Sequence, residues 1–390
     1  MSSKRKISIY GATGSIGQSS ADVILANPDL FDVHVVTAHN NVALLAETAI
    51  KLNADIAIIG SADKEDALIS ALHGHDIRVL SGVAAINESA RAKVDLVMAA
   101  IMGFAGLRPI VNALQNGVNV AIANKEPLVA AGEYIVRLAK NSGAKVLPVD
   151  SEHNAVFQVF ENHNKISIDK IILTASGGPF LDKSLADVQN ATKEQALKHP
   201  NWVMGQKISI DSATMMNKAL EIIEAKYLFD LPPEKIDVVI HPQSVIHSMV
   251  QYNDGSVLSQ MGASDMRTPI AYTLGWPARI NSGGEKLDIH SLSQLDFKVA
   301  DFERFTALKY AYKCLEIGQG ACITLNAANE IAVAHFLDGS IKFGKIMDIN
   351  AYSIETIYPK VANYPLKTLE DVENMDNTVR LFVTQYIKSQ

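Results

Sequence analysis

Cysteine is nearly missing: Cys314 and Cys322 are the only two in 390 residues. Two thiols make neither a disulfide framework nor a metal knuckle. An excess of basic charge is missing as well. The net charge is -7, so the molecule lacks the basic footprint of a nucleic-acid binder. Its one tight basic cluster, Lys4-Arg5-Lys6, is short and stands just ahead of the first expected strand. Long apolar runs are missing too. The longest, Leu96 to Leu107, is broken by glycine and too short to span a bilayer. No charged-then-apolar leader and no Ser/Arg-rich presequence precede the first strand, so the expected location is cytoplasmic, with no membrane and no nucleic-acid partner. Internal repeats and low-complexity segments are not seen. What remains is ordinary globular composition, 48% hydrophobic and 20% charged, in a chain long enough for two or three domains.

The chain opens with Ile7-Ser8-Ile9-Tyr10, an expected strand. It runs into Gly11-Ala12-Thr13-Gly14-Ser15-Ile16-Gly17 and a helix-like stretch to Ala26. Strand, glycine turn and helix in that order is the dinucleotide-binding arrangement: backbone comes close to a pyrophosphate, and the helix N-terminus offers N–H groups. The spacing is G-x-x-G-x-x-G, and a tight turn that binds nothing is the alternative. A second strand, Val33 to Thr37, ends in Ala38-His39-Asn40-Asn41. An NAD site usually places an acid there for the ribose 2′-hydroxyl. Its absence favours NADP, because a carboxylate repels a 2′-phosphate. No Arg or Lys stands in the segment, and His39, Asn40 and Asn41 offer hydrogen bonds instead. Further strand-like runs at 56–59, 77–80, 96–101, 118–123 and 146–149 alternate with helix-like segments. The pattern is a doubly wound parallel sheet.

Two polar clusters close strands of that sheet. Asn124-Lys125-Glu126-Pro127 follows the run at 118–123, and Lys125 there suits a phosphate, a substrate or a nicotinamide ribose; a helix-opening turn is the plainer reading. Asp150-Ser151-Glu152-His153-Asn154 follows the run at 146–149. On extended backbone Asp150 and Glu152 point to one side, and two carboxylates side by side call for a hard divalent cation. The alternative is a solvated turn with Asp150 capping a helix.

Past Asn154 the pattern changes. A strand at 170–173 leads to Ser176-Gly177-Gly178, which suits an anion-binding concavity. The segment His199-Pro200-Asn201-Trp202-Val203-Met204-Gly205 is either a mobile apolar lid or a loop whose Trp packs on the surface. A further strand is expected to end at Ile210. After it, Asn217 and Lys218 lie four and three residues before Glu221, near neighbours on one helical surface. Ser212, Asn217 and Lys218 suit a phosphate monoester, and Glu221 offers a third carboxylate; an exposed Lys–Glu face is the alternative. The stretch from Met261 to Ala278 reads as a glycine-bearing bend, 281–284 as a linker, and the chain from Phe302 onward as helical.

These motifs together resemble the 1-deoxy-D-xylulose 5-phosphate reductoisomerase family. The resembling segments are GATGSIG, ANKE, PVDSEHNA, TASGGPF, HPNWVMG, DSATMMNKALE and HPQSVIHSMV, spread from residue 11 to about 250. The resemblance implies metal carboxylates at Asp150, Glu152 and Glu221, and a phosphate site at Ser176, Ser212, Asn217 and Lys218. Ser151 and His199 would also touch substrate, with His153 and Ser244 nearby. It implies a flap at Trp202 and Met204, running to Gly205, and a pyrophosphate turn at Gly11, Thr13, Gly14, Ser15, Ile16 and Gly17. Asn124, Lys125 and Glu126 would line the cofactor and substrate cleft. Lys125, Glu152, His153, His199 and Glu221 form the implied catalytic set. The chain departs from the family at His39-Asn40, where a Gly and a Lys are common. The implied activity is NADPH- and metal-dependent (Mn²⁺, Mg²⁺ or Co²⁺) isomerisation and reduction of 1-deoxy-D-xylulose 5-phosphate to 2-C-methyl-D-erythritol 4-phosphate, in a homodimer.

The expected architecture is α/β: a Rossmann-like NADP-binding domain over 1–149, a central α+β catalytic and dimerisation domain over 150–284, a linker over 285–301 and a helical domain over 302–390. Two other readings compete with this one. A semialdehyde dehydrogenase needs a nucleophilic Cys in the cleft, but both cysteines lie in the helical tail. A sensor that keeps the fold without catalysis does not account for the full set of carboxylates and phosphate groups.

Overall fold

The computed structural model describes residues 4–202 and 204–390. In chain order the first elements are β1 (Arg5–Tyr10), α1 (Ser15–Leu25), β2 (Phe31–Ala38), α2 (Val42–Lys51), β3 (Ile56–Ile59), α3 (Glu65–Ala71), β4 (Arg78–Ser81) and α4 (Val83–Ser89). Next come β5 (Leu96–Ala99), α5 (Leu107–Gln115), β6 (Asn119–Ile122), α6 (Glu126–Ser142), β7 (Val146–Pro148) and α7 (Ser151–Val159). The middle holds β8 (Ile168–Ala175), α8 (Leu185–Gln189), α9 (Lys193–Ala196), α10 (Gln206–Ala213), α11 (Met216–Phe229), β9 (Ile236–Ile240), β10 (Ile246–Tyr252), β11 (Val257–Met261) and α12 (Arg267–Gly275). The remainder is β12 (Lys298–Val299), α13 (Thr306–Ile317), α14 (Gln319–Leu337), α15 (Lys345–Tyr352), α16 (Tyr358–Val361) and α17 (Leu369–Lys388).

The chain forms two compact units. One comprises the chain up to Pro127 with 135–154 and 265–286; the other comprises 128–134, 155–264 and 287–390. The first unit is built on a seven-stranded sheet of order β4-β3-β2-β1-β5-β6-β7, parallel throughout. The strand order reverses beside β1, so the ligand-binding crevice of such a fold opens at the carboxyl ends of β1 and β5. Leu96, Val97, Met98 and Ala99 of β5 are all buried. This explains why the apolar run in the sequence shows no polar alternation over these four residues, as expected of a strand covered on both faces.

The segment 265–286 departs from the expected boundaries, since it belongs with the first unit. It holds α12 where a bend was expected. Asp265 starts that helix: its carboxylate accepts from the Arg267 backbone N–H at 2.9 Å and from the guanidinium at 2.7–3.0 Å. The buried Asn154 amide then donates to Pro148 O, Pro269 O and Thr273 Oγ1, and Arg5 donates to the carbonyls of Leu274 and Trp276. The bonds from Asn154 to Pro269 and Thr273 and those from Arg5 to Leu274 and Trp276 each span more than 100 residues.

The second unit carries a five-stranded sheet of order β11-β10-β8-β9-β12, in which only β8 and β9 run parallel. β10 was not among the expected strands. Around the sheet stand the helices of the tail, which share this unit with 155–264 instead of standing as a separate domain. At its centre is α14, apolar almost all round, as a helix must be when it is buried on every side. The residues 207–210, expected as a strand, belong to α10. The alternation Lys-Ile-Ser-Ile imitates a strand, but Lys207 pairs with the buried Asp211 at 2.7 Å one helical turn later, and Asn329 of α14 donates to the same carboxylate at 2.8 Å. A buried Asp needs such partners, and only the helix supplies both. No helix among the described residues is long and apolar enough to cross a membrane.

Candidate active site

In the first unit the glycine turn is held against β2. Gly11 N donates to Thr37 Oγ1 at 3.0 Å, and Ala12 N donates to Thr37 O at 2.7 Å. Gly11 has φ +91, a region closed to most side chains. Gly14 occupies the N-cap of α1, so no side chain covers the helix end. Gln18 Nε2 ties the turn down by donating to Ala12 O at 2.8 Å and Thr48 Oγ1 at 2.9 Å. Thr13, Ser15 and Ile16 lie within this turn and the first residues of the helix. His39 and Asn40 follow β2 and are exposed, and Asn41 caps α2 by accepting from Leu44 N at 3.2 Å.

At the same carboxyl edge, Asn124 follows β6 with a buried side-chain nitrogen that meets no hydrogen-bond partner among the described residues. An orphaned donor of that kind is costly unless something else meets it, which fits a ligand such as a dinucleotide. Lys125 Nζ lies 2.7 Å from Asp150 Oδ2, both side chains nearly buried, and Glu126 opens α6. The fully buried His153 has Nδ1 3.7 Å from the same Asp150 oxygen. Ser151 Oγ donates to Glu152 at 2.6 Å. The expectation that Asp150 and Glu152 share one side of an extended strand does not hold. β7 stops at Pro148 and α7 starts at Ser151, so Asp150 precedes the helix and Glu152 lies in its first turn, where the helix dipole favours an acid.

In the second unit the groups expected around a phosphate come together in pieces. His199 Nδ1 accepts from Asn201 N at 3.2 Å and Trp202 N at 3.0 Å. The ring proton is thereby assigned to Nε2, which donates to Ser176 Oγ at 3.0 Å. Gly178 N also donates to Ser176 Oγ, at 3.2 Å. The serine hydroxyl accepts twice, and its own O–H is left to donate outward. Gly178 has φ +68, and a Cβ there would stand 2.7 Å from Ser212 O, so the glycine turn packs directly on the end of α10.

On α11, Asn217 Nδ2 donates to Glu221 Oε1 at 2.5 Å, and Lys218 Nζ donates to the other carboxylate oxygen. Lys218 is 3% exposed and Glu221 0%. The pair is therefore no solvated helix face. Burying two charges is seldom a net gain in stability, and such pairs are a mark of sites.

The Trp202 ring lies tilted against His247, ring centroids 6.1 Å apart and planes at 54°. Val203 of this loop lies outside the described residues; Met204 and Gly205 lead into α10, which Gly205 caps. Sequence reasoning passed over Asn201. Its amide donates to Pro242 O at 2.6 Å and to Ser244 Oγ at 3.1 Å, which fastens the Trp-bearing loop to the Ser244 turn. Ser244 has φ +52. The only signal for this in the sequence is that both segments are Pro- and Asn- or Ser-containing turns, which is too common to use.

Family models match most of the chain. That of 1-deoxy-D-xylulose 5-phosphate reductoisomerase covers residues 7–132, that of its C-terminal domain 146–229, and a further DXP reductoisomerase C-terminal domain 261–382. The chain belongs to the 1-deoxy-D-xylulose 5-phosphate reductoisomerase family. It is 47% identical to the Bradyrhizobium diazoefficiens enzyme of that name over 379 residues, 97% of this chain and 93% of the relative. The Zymomonas mobilis enzyme is 47% identical over 389 residues, 100% and 99% of the two chains. Among solved structures, a DOX-P reductoisomerase in complex with NADPH, fosmidomycin and magnesium superposes with a TM-score of 0.95 at 42% identity, covering 98% of each chain. The Zymomonas mobilis reductoisomerase in complex with NADPH gives 0.92 at 45% identity, covering 100% of each. The resemblance drawn from seven short segments thus extends along the whole chain, helical tail included.

Proposed function

We propose that this chain converts 1-deoxy-D-xylulose 5-phosphate to 2-C-methyl-D-erythritol 4-phosphate, using NADPH and a divalent metal, in the non-mevalonate route to isoprenoids. The observation that carries this is the buried Asn217–Lys218–Glu221 cluster on α11. It unites a cation and an amide suited to a phosphate with a carboxylate suited to a metal. Asp150, Glu152 and Glu221 would hold Mg²⁺, Mn²⁺ or Co²⁺. All three donors are hard oxygens, which is what such cations take. The bound metal supplies Lewis-acid stabilisation of the charge that develops on the substrate oxygens.

The chain's own groups do the rest. Lys218, Asn217, Ser212 and Ser176 hold the phosphate, and Ser176 offers the hydroxyl proton that His199 and Gly178 leave to it. Ser151 and Ser244 complete the substrate contacts. Lys125 and His153 stand against the Asp150 carboxylate and orient it. Gly11, Thr13, Gly14, Ser15, Ile16 and Gly17 seat the pyrophosphate of NADPH on the N-terminus of α1, and Asn124, Lys125 and Glu126 line the cofactor side. Trp202 and Met204, with Gly205 as the end of the loop, would exclude water from the site.

A dehydrogenase that works through a cysteine finds no nucleophile. Cys314 and Cys322 are both 0% exposed. Burial pushes the Cys322 thiol up to about 12 and raises that of Cys314 well above its ordinary value, so neither is a thiolate at neutral pH. Neither cysteine is in a disulfide, which suits the cytoplasm, kept as the proposed location; cell fractionation checks it. The deciding assay is NADPH oxidation with 1-deoxy-D-xylulose 5-phosphate, with and without Mn²⁺. Oxidation that needs both substrate and metal is expected; metal binding without turnover would favour the catalytically silent sensor.

A homodimer belongs to the same proposal. β11 is an edge strand with Val257 and Leu258 exposed, and apolar edges are seldom left open. Sedimentation equilibrium at micromolar concentration is expected to return twice the chain mass, and a monomer would remove this part.

A further inference from the structure

The carboxyl end of β2 is where the adenosine ribose of a dinucleotide lies when its pyrophosphate rests on the β1–α1 turn. Ala38-His39-Asn40-Asn41 contains neither an acid nor a base that is charged at all working pH values. The fold brings a cation there from another connection. Lys64, in the turn between β3 and α3, donates its ammonium to Asn40 O at 2.9 Å. The two connections are joined along the backbone: Gly60 N donates to Ala38 O, and Ser61 N to His39 O, both at 2.8 Å. They lie so close that a Cβ on Gly60 would stand 2.8 Å from His39 Nδ1.

The donors outnumber the acceptors here. An ammonium carries three N–H groups, and the Asn40 carbonyl takes one. Asn41 spends its oxygen on Leu44 N, which leaves its amide nitrogen to offer. Of the carboxylates alongside, Glu65 is engaged by Ser81 Oγ at 2.7 Å, and Asp63 is exposed. One fixed positive charge among amide donors at this place suits a phosphate monoester on the ribose 2′-oxygen.

We propose that Lys64 is the residue that selects NADPH over NADH in this chain, by pairing with the 2′-phosphate. The proposal rests on the nucleotide reading given above. It deepens that reading by naming a specificity residue 24 positions away from Asn40.

The test is direct binding to the full-length protein, followed by dinucleotide fluorescence for NADPH and NADH and by competition for 2′,5′-ADP and 5′-AMP. Lys64→Gln is expected to weaken NADPH and 2′,5′-ADP about tenfold, the scale of one charge-assisted hydrogen bond. NADH and 5′-AMP should stay within about twofold, because they lack the 2′-phosphate. Lys64→Arg should keep most of the preference. The NADPH deficit of Lys64→Gln should shrink as salt is raised, since the pair is exposed. Equal weakening of both dinucleotides would overturn the proposal and make Lys64 a tether for the Asn40 turn. Unchanged NADPH binding would overturn it too. A wild-type protein that binds neither dinucleotide would instead overturn the nucleotide reading, which keeps the two failures apart.

Discussion

Glu221→Gln is expected to lower kcat by at least about 10³-fold while leaving NADPH affinity within about twofold, a difference of about 4 kcal/mol confined to the chemical step. Glutamine keeps the shape of the buried side chain, and its one amide oxygen can still accept from Lys218, although its NH2 then faces the Asn217 amide that had donated to the other oxygen. It loses the negative charge that a divalent cation needs from its third carboxylate. Glu221→Ala should be worse in a second way. It leaves the Lys218 ammonium, 3% exposed, without its carboxylate, and breaking a buried pair from one side typically costs about 3–5 kcal/mol of stability. The two variants therefore separate catalysis from folding. Steady-state kinetics across a Mn²⁺ titration, with dinucleotide fluorescence in parallel, make the measurement. A glutamine variant that keeps more than about a tenth of wild-type kcat at saturating metal would take Glu221 out of the cation set. Lost activity with unchanged metal affinity and a raised substrate KM would move Glu221 to the phosphate site, as the residue that holds Lys218.

Local chemistry with local consequences was legible in the sequence. The glycine turn, the parallel strands and the Asn217–Lys218–Glu221 spacing follow from periodicity and from which residues tolerate which backbone. The pairings in the α11 cluster are i,i+3 and i,i+4, so helical geometry alone brings them together. What the sequence did not display was anything fixed by a distant partner. Lys207 to Ile210 alternates like a strand, and only Asn329 of α14, together with the Lys207–Asp211 pair, shows why it is helix. The return of 265–286 to the first unit depends on Asn154, Thr273 and Arg5, three polar residues with no periodic signature. Asn201 and Lys64 belong to the same class. Each is an ordinary loop residue until the fold places a backbone carbonyl within its reach. For the acidic pair only the route was misjudged: the Asp150 and Glu152 oxygens do lie within 4.8 Å of each other, but across the start of α7 and not along one face of an extended strand, because β7 ends before Asp150.

Gly17→Ala is expected to lower the melting temperature and to abolish measurable NADPH binding, whereas Gly14→Ala should fold normally. The two glycines look alike in the G-x-x-G-x-x-G pattern, but their surroundings differ. A Cβ on Gly17 would stand 2.3 Å from Gly11 O, 2.5 Å from Ala12 Cα and 2.6 Å from Ala12 C. All three are backbone atoms, so no rotamer change relieves the overlap. Gly11 cannot retreat easily either, because its own Cβ position is already 2.5 Å from Ala100 O. Forcing one methyl into a packed contact of this kind costs about 1–3 kcal/mol, and the turn that moves is the one proposed to seat the pyrophosphate. Gly14 has only Gly11 O near its Cβ position, at an ordinary 3.5 Å, and its φ of -81 suits any residue. A methyl there meets no protein atom too closely; it would meet the ligand, since the open helix end lies beside it. Gly14→Ala is therefore expected to keep its melting temperature and lose about tenfold or more in NADPH affinity, roughly 1.4 kcal/mol. Thermal denaturation and dinucleotide titration on both variants decide the matter. If Gly14→Ala binds NADPH like the wild type, the pyrophosphate does not lie against Gly14, and the α1 N-terminus loses its assigned role. If Gly17→Ala melts unchanged, the turn is more compliant than three backbone contacts under 3 Å allow.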